Sequence, residues 1–167
     1  MHILLCTIGF AGKTAEEFFS LLQAAGVKQL LDIRQHRGGQ LSGFAKHPDL
    51  AYFLERLAGI SYQHQALLTP TPELLKDYRT TKDWPAYEAA FLSLLKERHV
   101  PESLSMPPAA APVALLCSEP GPEKCHRRIA ADCLAEWWRG QGHSVEVRHL
   151  VSEKYKPPRK KRPPRQK

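Results

Sequence analysis

The sequence of 167 residues contains no apolar run near the roughly 18 residues that a membrane-spanning helix needs. Its first ten residues, MHILLCTIGF, place no basic segment before a long apolar core, so they do not resemble a secretory signal peptide. These absences predict a cytoplasmic protein without a membrane partner. In a reducing compartment the four cysteines are expected to be free, metal-bound or catalytic rather than joined in disulfides.

Acidic residues are missing from the segment Lys154–Lys167, which carries eight Lys or Arg residues and four prolines. The rest of the chain is almost neutral, with sixteen basic and seventeen acidic residues, although the whole chain has a formal net charge of +7. We therefore expect a single α/β domain over residues 1–151 and a disordered, basic, Pro-rich tail over residues 152–167. Such a tail attracts nucleic acid or other polyanions in a salt-dependent way, or serves only solubility.

Short apolar segments alternate with helical patterns along the predicted domain. Five segments are predicted to be strands, namely HILLCTIG, VKQLLDIR, ISYQHQAL, VALLCS and HSVEVRHL. Helix signals lie between them, such as the capping box of Thr14 and Glu17 and the pair Thr71 and Pro72. The order predicts a single-domain α/β fold, with a mainly parallel doubly wound sheet of about five strands and helices on both faces.

Ligands of open α/β sheets bind beside the carboxyl ends of the strands. Several predicted strands end in side chains that can bind or react: Thr7 and Gly9 after the first, Asp32 and Arg34 after the second, Tyr62 and His64 on the third, and Cys117 and Glu119 after the fourth. Because the ends of parallel strands meet at one edge, we expect these groups to share a site. Lys46, in the loop after Arg34, is expected to close over it.

The segment CSEPGPEKCHRR, residues 117–128, concentrates thiols, an imidazole, carboxylates and guanidiniums. Pro122 suits a first helical position, so Cys125, His126, Arg127 and Arg128 are predicted in the first turns of a helix. A helix N-terminus carries partial positive charge and unpaired N–H groups, which favour an anion and lower a nearby cysteine pKa. Basic side chains are unfavourable there unless an anionic ligand accompanies them.

In the first interpretation, the protein is an enzyme that binds a phosphate-bearing ligand, such as a nucleotide or nucleic acid. Glu119 or Asp32 would be the acid or base, and His126 would carry a proton. Arg127 or Arg128 would hold the anion, and Arg127 would stabilise the charge that develops in the transition state.

In the second interpretation, Cys117 or Cys125 is a nucleophile in sulfur transfer or redox chemistry. His126 or His64 would be the base, and one of the same two carboxylates would orient it. This protein would act on thiols or on sulfur donors rather than on phosphates.

In a third interpretation, Cys117, Cys125 and His126 bind a metal ion. The spacing C-x7-C-H is uncommon in zinc sites, so no metal is predicted and no cofactor is identified. The remaining alternative is a non-enzymatic nucleic-acid-binding module that depends on the basic tail.

Several segments together resemble the family called domain of unknown function 488, over about residues 2–151. They are TIGF, LLDIR, FAK, ISYQH and LLCSEPGPEKCHRRIAADCLAE. The resemblance implies an α/β fold and a shared cluster, formed here by Thr7, Gly9, Asp32, Arg34, Phe44, Lys46, Tyr62, Glu119, Cys125, His126 and Arg127. The chain departs from the family at Phe10, where His is common, and in the loop QHRGGQLSG. A fainter likeness to rhodanese-type sulfurtransferases lies in Asp32-x-Arg34 and in a Cys ending a late strand.

Overall fold

The computed structural model describes residues 1–39, 42–105, 107 and 111–158. Within these residues five strands form one sheet: β1 (His2–Gly9), β2 (Gln29–Asp32), β3 (Ser61–His64), β4 (Val113–Cys117) and β5 (Ser144–Leu150). The strand order is β3-β2-β4-β1-β5, and every neighbouring pair is parallel. The predicted parallel α/β sheet is confirmed.

Helices cover both faces of this sheet. They are α1 (Ala15–Ala24), α2 (Asp49–Phe53, continued by a π-helical turn at Leu54–Ala58), α3 (Pro72–Thr81), α4 (Trp84–Glu97) and α5 (His126–Gly140), with short 3₁₀ turns at Gly43–Ala45 and Ala66–Leu68. One hydrophobic core joins α4 and α5 to the sheet, and a second core joins α1 and α2 to the opposite face. Burying a ring such as Phe18 or Phe91 stabilises the fold by about 2–3 kcal/mol.

The central strand β4 is apolar throughout because both of its faces are covered. Leu115 packs in the α4–α5 core, whereas Ala114 and Leu116 pack in the α1–α2 core. Side chains alternate between faces along a strand, so Cys117 follows Leu115 toward the α4–α5 layer. The last residue of β4 therefore lies on the side where α5 begins.

The predicted helix caps at Thr14 and Thr71 are present. Thr14 Oγ1 accepts a hydrogen bond from the Glu17 N–H at 3.1 Å, and Thr71 Oγ1 accepts one from the Leu74 N–H at 3.2 Å. The Glu17 carboxylate does not complete a capping box, because it accepts a hydrogen bond from the Ser152 hydroxyl instead. The tertiary structure thus reuses a local capping residue to hold the end of the domain.

The predicted start of α5 at Pro122 is wrong. The helix begins at His126, and Cys125 is its N-cap residue in an extended conformation. Lys124 has a left-handed backbone with φ of 49°, which turns the chain just before the cap. The helix therefore starts only after the prolines and Lys124 have redirected the chain, and Cys125 stands at its entry rather than inside its first turn.

The structure describes residues 152–158 of the predicted tail. Ser152 is buried against Glu17, and the Tyr155 hydroxyl donates a hydrogen bond to the Glu123 carboxylate. Residues 159–167 lie outside the described residues, so most of the predicted disordered tail falls there. Among the described residues, no helix combines the length and apolar character that crossing a membrane requires.

Candidate functional site

Two thiols meet where β4 ends and α5 begins. The turn between them leaves Cys117, runs through Pro120 and Pro122, and returns at Cys125. The Cys125 thiol donates a hydrogen bond to Cys117 Sγ, and the two sulfurs are 3.1 Å apart. Cys117 is 4% exposed and Cys125 is 2% exposed. The fold therefore assembles a pair of nearly buried thiols that are separated by the turn in sequence.

The His126 imidazole lies beside Cys117 with a defined proton position. Its Nε2 is 3.0 Å from the carbonyl oxygen of Ile33, and its Nδ1 is 3.6 Å from Cys117 Sγ. A carbonyl oxygen only accepts hydrogen bonds, so Nε2 carries a proton. In the neutral imidazole Nδ1 is then the basic nitrogen, and it faces the thiol. This geometry suits proton transfer between Cys117 and His126.

The pKa values of Cys117, Cys125 and His126 do not all shift in the same direction. Burial opposes ionisation of Cys117, but the hydrogen bond from Cys125 and the neighbouring His126 outweigh it, so the pKa of Cys117 lies well below its ordinary value. Burial and the contact with Cys117 raise the pKa of Cys125 well above the ordinary range. Burial alone would lower the pKa of His126, but Cys117 raises it. The arrangement favours a Cys117 thiolate, a protonated Cys125 and a His126 imidazolium.

A cavity of about 310 Å³ opens over these groups. Cys117, Cys125 and His126 line it, together with Arg34 and Glu119 from the predicted set. Glu119 is exposed as a whole residue, but burial of its carboxyl group and the nearby Cys117 raise its pKa. The cavity therefore gives a small molecule access to both thiols and to a carboxyl group that can carry a proton.

Arg127 lies behind the turn and does not line this cavity. Its side chain is fully buried, and Nη1 donates a hydrogen bond to the Glu119 carbonyl oxygen at 2.6 Å and contacts Cys125 Sγ at 3.7 Å. Nε and Nη2 have no hydrogen-bond partner among the described residues. A Cβ on Gly9 would overlap both Arg127 and the Glu119 backbone. Gly9 is thus required for this packing.

Cys117, Cys125 and His126 are also, among the described residues, the one group of three such side chains close enough to hold a metal ion, with their ligand atoms within 4.8 Å of one another. A tetrahedral zinc ion with Zn–S bonds of about 2.3 Å holds two sulfurs about 3.8 Å apart. The observed 3.1 Å between the sulfurs is shorter. The thiols would have to separate before they could bind zinc, and a fourth ligand would have to come from elsewhere.

A family model described as Domain of unknown function DUF488 matches residues 14–134. This match covers most of the chain and includes the whole segment from Cys117 to Arg128. The chain belongs to the DUF488 family. The predicted resemblance is confirmed, over a shorter span than expected, so Thr7 and Gly9 lie outside the matched residues. Searches among curated proteins and among solved structures found no match.

The cluster that the DUF488 resemblance implied divides into separate groups in space. Asp32, Arg34 and Tyr62 form one of them. Asp32 Oδ1 accepts hydrogen bonds from the Arg34 backbone N–H and Nε, and Oδ2 accepts from Arg34 Nη2 at 2.7 Å and from the Tyr62 hydroxyl at 2.8 Å. Asp32 does not line the cavity, although Arg34 does. Its carboxylate is occupied by internal partners.

The remaining predicted residues do not line the cavity. Thr7 Oγ1 is paired with His149 Nδ1 at 2.8 Å, and His64 Nε2 lies 3.5 Å from the Thr69 hydroxyl. Lys46 is exposed in the loop before α2. The Arg128 guanidinium forms ion pairs with Glu88 at 2.7 Å and with Asp132 at 3.0 Å. The structure thus does not bring Thr7, His64, Lys46 or Arg128 into the cavity wall.

Several wall residues come from the junction of α3 and α4, which the sequence did not single out. They are Tyr78, Arg79, Lys82, Trp84 and Tyr87. The segment DYRTTKDW, where α3 ends and α4 begins, is rich in basic and aromatic residues, but the same pattern is typical of a solvated helix junction. The Ile33 carbonyl that orients His126 is a backbone group and leaves no signal in the sequence.

Proposed function

We propose that this DUF488 protein is a thiol-dependent enzyme in which Cys117 is the nucleophile, Cys125 is the second thiol and His126 carries protons. The proposal rests on one observation: the two sulfurs are 3.1 Å apart, with His126 Nδ1 3.6 Å from Cys117, beneath an open cavity. A disulfide bond of about 2.05 Å needs the sulfurs to approach by only about 1 Å. A reducing cytoplasmic location, which keeps both thiols free, is part of the proposal.

In thiol–disulfide exchange the Cys117 thiolate attacks one sulfur of a substrate R–S–S–R′. A Cys117–S–R bond forms, the substrate S–S bond breaks, and the leaving R′–S⁻ takes the proton of His126. Cys125 then passes its proton through His126 and attacks Cys117 Sγ, which releases R–SH and leaves a Cys117–Cys125 disulfide. The substrate gains two electrons, and a second cellular thiol compound reduces the protein disulfide.

Sulfur transfer would use the same first nucleophile. The Cys117 thiolate attacks the outer sulfur of a persulfide R–S–SH, the bond between the two substrate sulfurs breaks, and R–S⁻ leaves with the His126 proton. Cys117 then holds a persulfide, which a nucleophilic acceptor removes. The two reactions differ in product mass, because exchange removes two hydrogens from the protein and transfer adds one sulfur atom.

Alkylation by iodoacetamide, followed residue by residue with mass spectrometry, tests the proposal. We expect Cys117 to react at pH 6–7 at least about tenfold faster than a reference thiol of ordinary pKa, because its lowered pKa increases the fraction of thiolate. Cys133, whose pKa is raised by burial and nearby acids, is the internal control. The proposal is wrong if Cys117 reacts no faster than Cys133.

The phosphate-bearing ligand expected from the sequence is the second candidate, and it is supported by the cationic side chains Arg79, Lys82 and Lys124 in the cavity wall. Nucleotides, phosphosugars and oligonucleotides would be screened by thermal shift against the full chain and the charge-reversed variant Lys82→Glu. A shift by one phosphorylated compound, lost in that variant, would support this candidate. Equal shifts in both proteins would contradict it.

Polyanion contact through Lys154–Lys167 is a separate proposal that needs no catalytic site. It rests on the charge of this segment, which includes eight basic residues and no acidic ones. Deletion of residues 159–167 is expected to weaken binding to a random oligonucleotide and to lower the salt dependence of that binding. Unchanged binding and unchanged salt dependence would exclude the tail as the contact.

A further inference from the structure

The two thiols line the cavity. Cys117 and Cys125 are almost fully buried, and the cavity over them measures about 310 Å³, near the lower limit for small-molecule sites. Thiolate attack on a disulfide requires direct contact between sulfurs. This volume fits a small molecule or a flexible group better than it fits a disulfide held inside another folded protein.

The cavity wall carries an excess of positive charge. Arg79 and Lys82 come from the end of α3, and Lys124 comes from the turn before Cys125. None of these three side chains has an ion-pair partner within the described part of the chain. Glu119 is the single carboxyl group among the wall residues, so these three cations face one carboxyl group.

The backbone places two of these cations at the cavity in a conformation that lysine seldom adopts. Lys82 ends α3 with φ of 56°, and Lys124 precedes the α5 cap with φ of 49°. Non-glycine residues in the left-handed region cost roughly 1 kcal/mol or more, so the surrounding structure has to hold them there. Two lysines from different elements thus lie in the wall of one cavity, and neither forms an ion pair within the described part of the chain.

We infer that the substrate is a low-molecular-weight organic disulfide or persulfide that carries carboxylate or sulfonate groups. Its anionic groups would pair with Arg79, Lys82 and Lys124 while its S–S bond faces Cys117. This inference rests on the proposed function and adds the size and charge of the substrate to it. The bonds that form and break are those of the exchange and transfer steps given above.

Three disulfides of similar length and different charge test the inference: dithiodipropionate is anionic, hydroxyethyl disulfide is neutral and cystamine is cationic. The initial rate of Cys117 modification by each compound is divided by the rate with mercaptoethanol, which removes the intrinsic reactivity of the compound. At low ionic strength we expect the normalised rate to be at least about tenfold higher for dithiodipropionate than for cystamine. The ratio should fall as salt is added, because salt screens the wall charges.

Charge reversal of cavity-wall residues tests which side chains produce the preference for an anionic disulfide. The double variant Arg79→Glu with Lys82→Glu is expected to lower the dithiodipropionate rate and to raise the cystamine rate, which inverts the preference. Lys76→Glu is the matched control, because Lys76 is on α3 but does not line the cavity. With the two variants compared at about 0.15 M salt, where the Debye length is about 8 Å, we expect Lys76→Glu to change either rate by less than about twofold, since its exposed charge lies outside the cavity wall.

The possible failures are distinguishable. If Cys117 reacts with none of the three disulfides while mercaptoethanol does, the proposed function is wrong and the inference falls with it. If Cys117 reacts with all three in the proportions seen with mercaptoethanol, the charge preference is wrong and the proposed function stands. A preference for dithiodipropionate that survives the double variant would overturn the assignment to Arg79 and Lys82.

Discussion

Two polar clusters lie at the same edge of the sheet, at the ends of the neighbouring strands β2 and β4. In the first, Asp32 accepts hydrogen bonds from Arg34 and Tyr62 on both carboxylate oxygens, and the Asp32 and Arg34 side chains are 0% and 4% exposed. In the second, Cys117 and Cys125 face a cavity. Similar strand-end positions therefore produce one cluster that is satisfied internally and one that is open to a ligand.

We call Asp32, Arg34 and Tyr62 the closed cluster, and Cys117, Cys125 and His126 the open cluster. A backbone group beside the closed cluster contacts the open cluster. Ile33 lies between Asp32 and Arg34, and its carbonyl oxygen receives the Nε2 proton of His126. The Ile33 N–H donates to the Leu116 carbonyl oxygen at 3.1 Å, one residue before Cys117. The buried ion pair thus holds the backbone that sets the orientation of the imidazole. The Asp32 carboxylate itself is engaged by Arg34 and Tyr62 and does not line the cavity.

The largest expected effect is on chemistry at the open cluster. Cys117→Ser should reduce disulfide exchange by about a thousandfold or more, because the nucleophile is lost. The free energy of unfolding should change by less than about 1 kcal/mol, because the two side chains have similar size. Stopped-flow thiol release and urea unfolding measure the two quantities.

Cys133→Ser is the control for this change, since Cys133 is on α5 away from the cavity. It should retain the full exchange rate. If Cys117→Ser exchanges disulfides at the normal rate, the reactive thiol is a different residue. The contrast between a reactive cluster at Cys117 and a structural cluster at Asp32 would then be wrong.

The next effect is on stability at the closed cluster. Asp32→Ala should lower the free energy of unfolding by about 3–5 kcal/mol, because the buried Arg34 charge loses its partner. Urea denaturation measures this loss. The double variant Asp32→Ala with Arg34→Met should recover part of it, because neither charge then remains buried and unpaired. A loss as small as that of Asp49→Ala, an exposed carboxylate, would show that the pair is not structural.

The third effect tests whether His126 maintains the Cys117 thiolate. In the native protein the pKa of Cys117 is lowered, so its alkylation should stay fast as the pH falls below the ordinary thiol pKa and should decline only near the lowered value. His126→Asn should raise the midpoint of this profile and reduce the rate at pH 6–7 by about 10- to 100-fold.

At a pH above the ordinary thiol pKa the native protein and His126→Asn should react at similar rates, since Cys117 is then ionised in both. Iodoacetamide alkylation between pH 5 and 10 gives both profiles. A rate reduced equally at every pH would mean that His126 shapes the cavity rather than the ionisation of Cys117.

The smallest effect is on stability, and it tests how tightly Gly9 packs against the turn between Cys117 and Cys125. Gly9→Ala should cost about 1–3 kcal/mol, because a Cβ there overlaps the Glu119 carbonyl and Arg127, and a well-packed interior resists added volume. Gly43→Ala, with no atom near its added Cβ, should change stability by less than about 0.5 kcal/mol. Thermal denaturation compares them. Equal melting temperatures would mean that the turn adjusts freely, and that close packing does not hold the thiol cluster.

Much of the fold could be predicted from local patterns in the sequence. The five strands and the caps at Thr14 and Thr71 were predictable, because they depend on nearby residues and on apolar periodicity. The start of α5 was not, since the left-handed backbone at Lys124 has no signature in that residue type. The helix junction that supplies Arg79 and Lys82 was also missed, because its approach to Cys117 is a long-range contact.

From the sequence alone, the chemical groups at the strand ends and the closeness of Cys117, Cys125 and His126 in the chain could be predicted. The strand order could not: β2 lies beside β4, which brings the Ile33 carbonyl to His126, and beside β3, which brings the Tyr62 hydroxyl to Asp32. Strand order depends on the packing of whole helices against both faces of the sheet. The free energy of this packing is the sum of many contacts between residues that are far apart in the sequence, and no short motif encodes it.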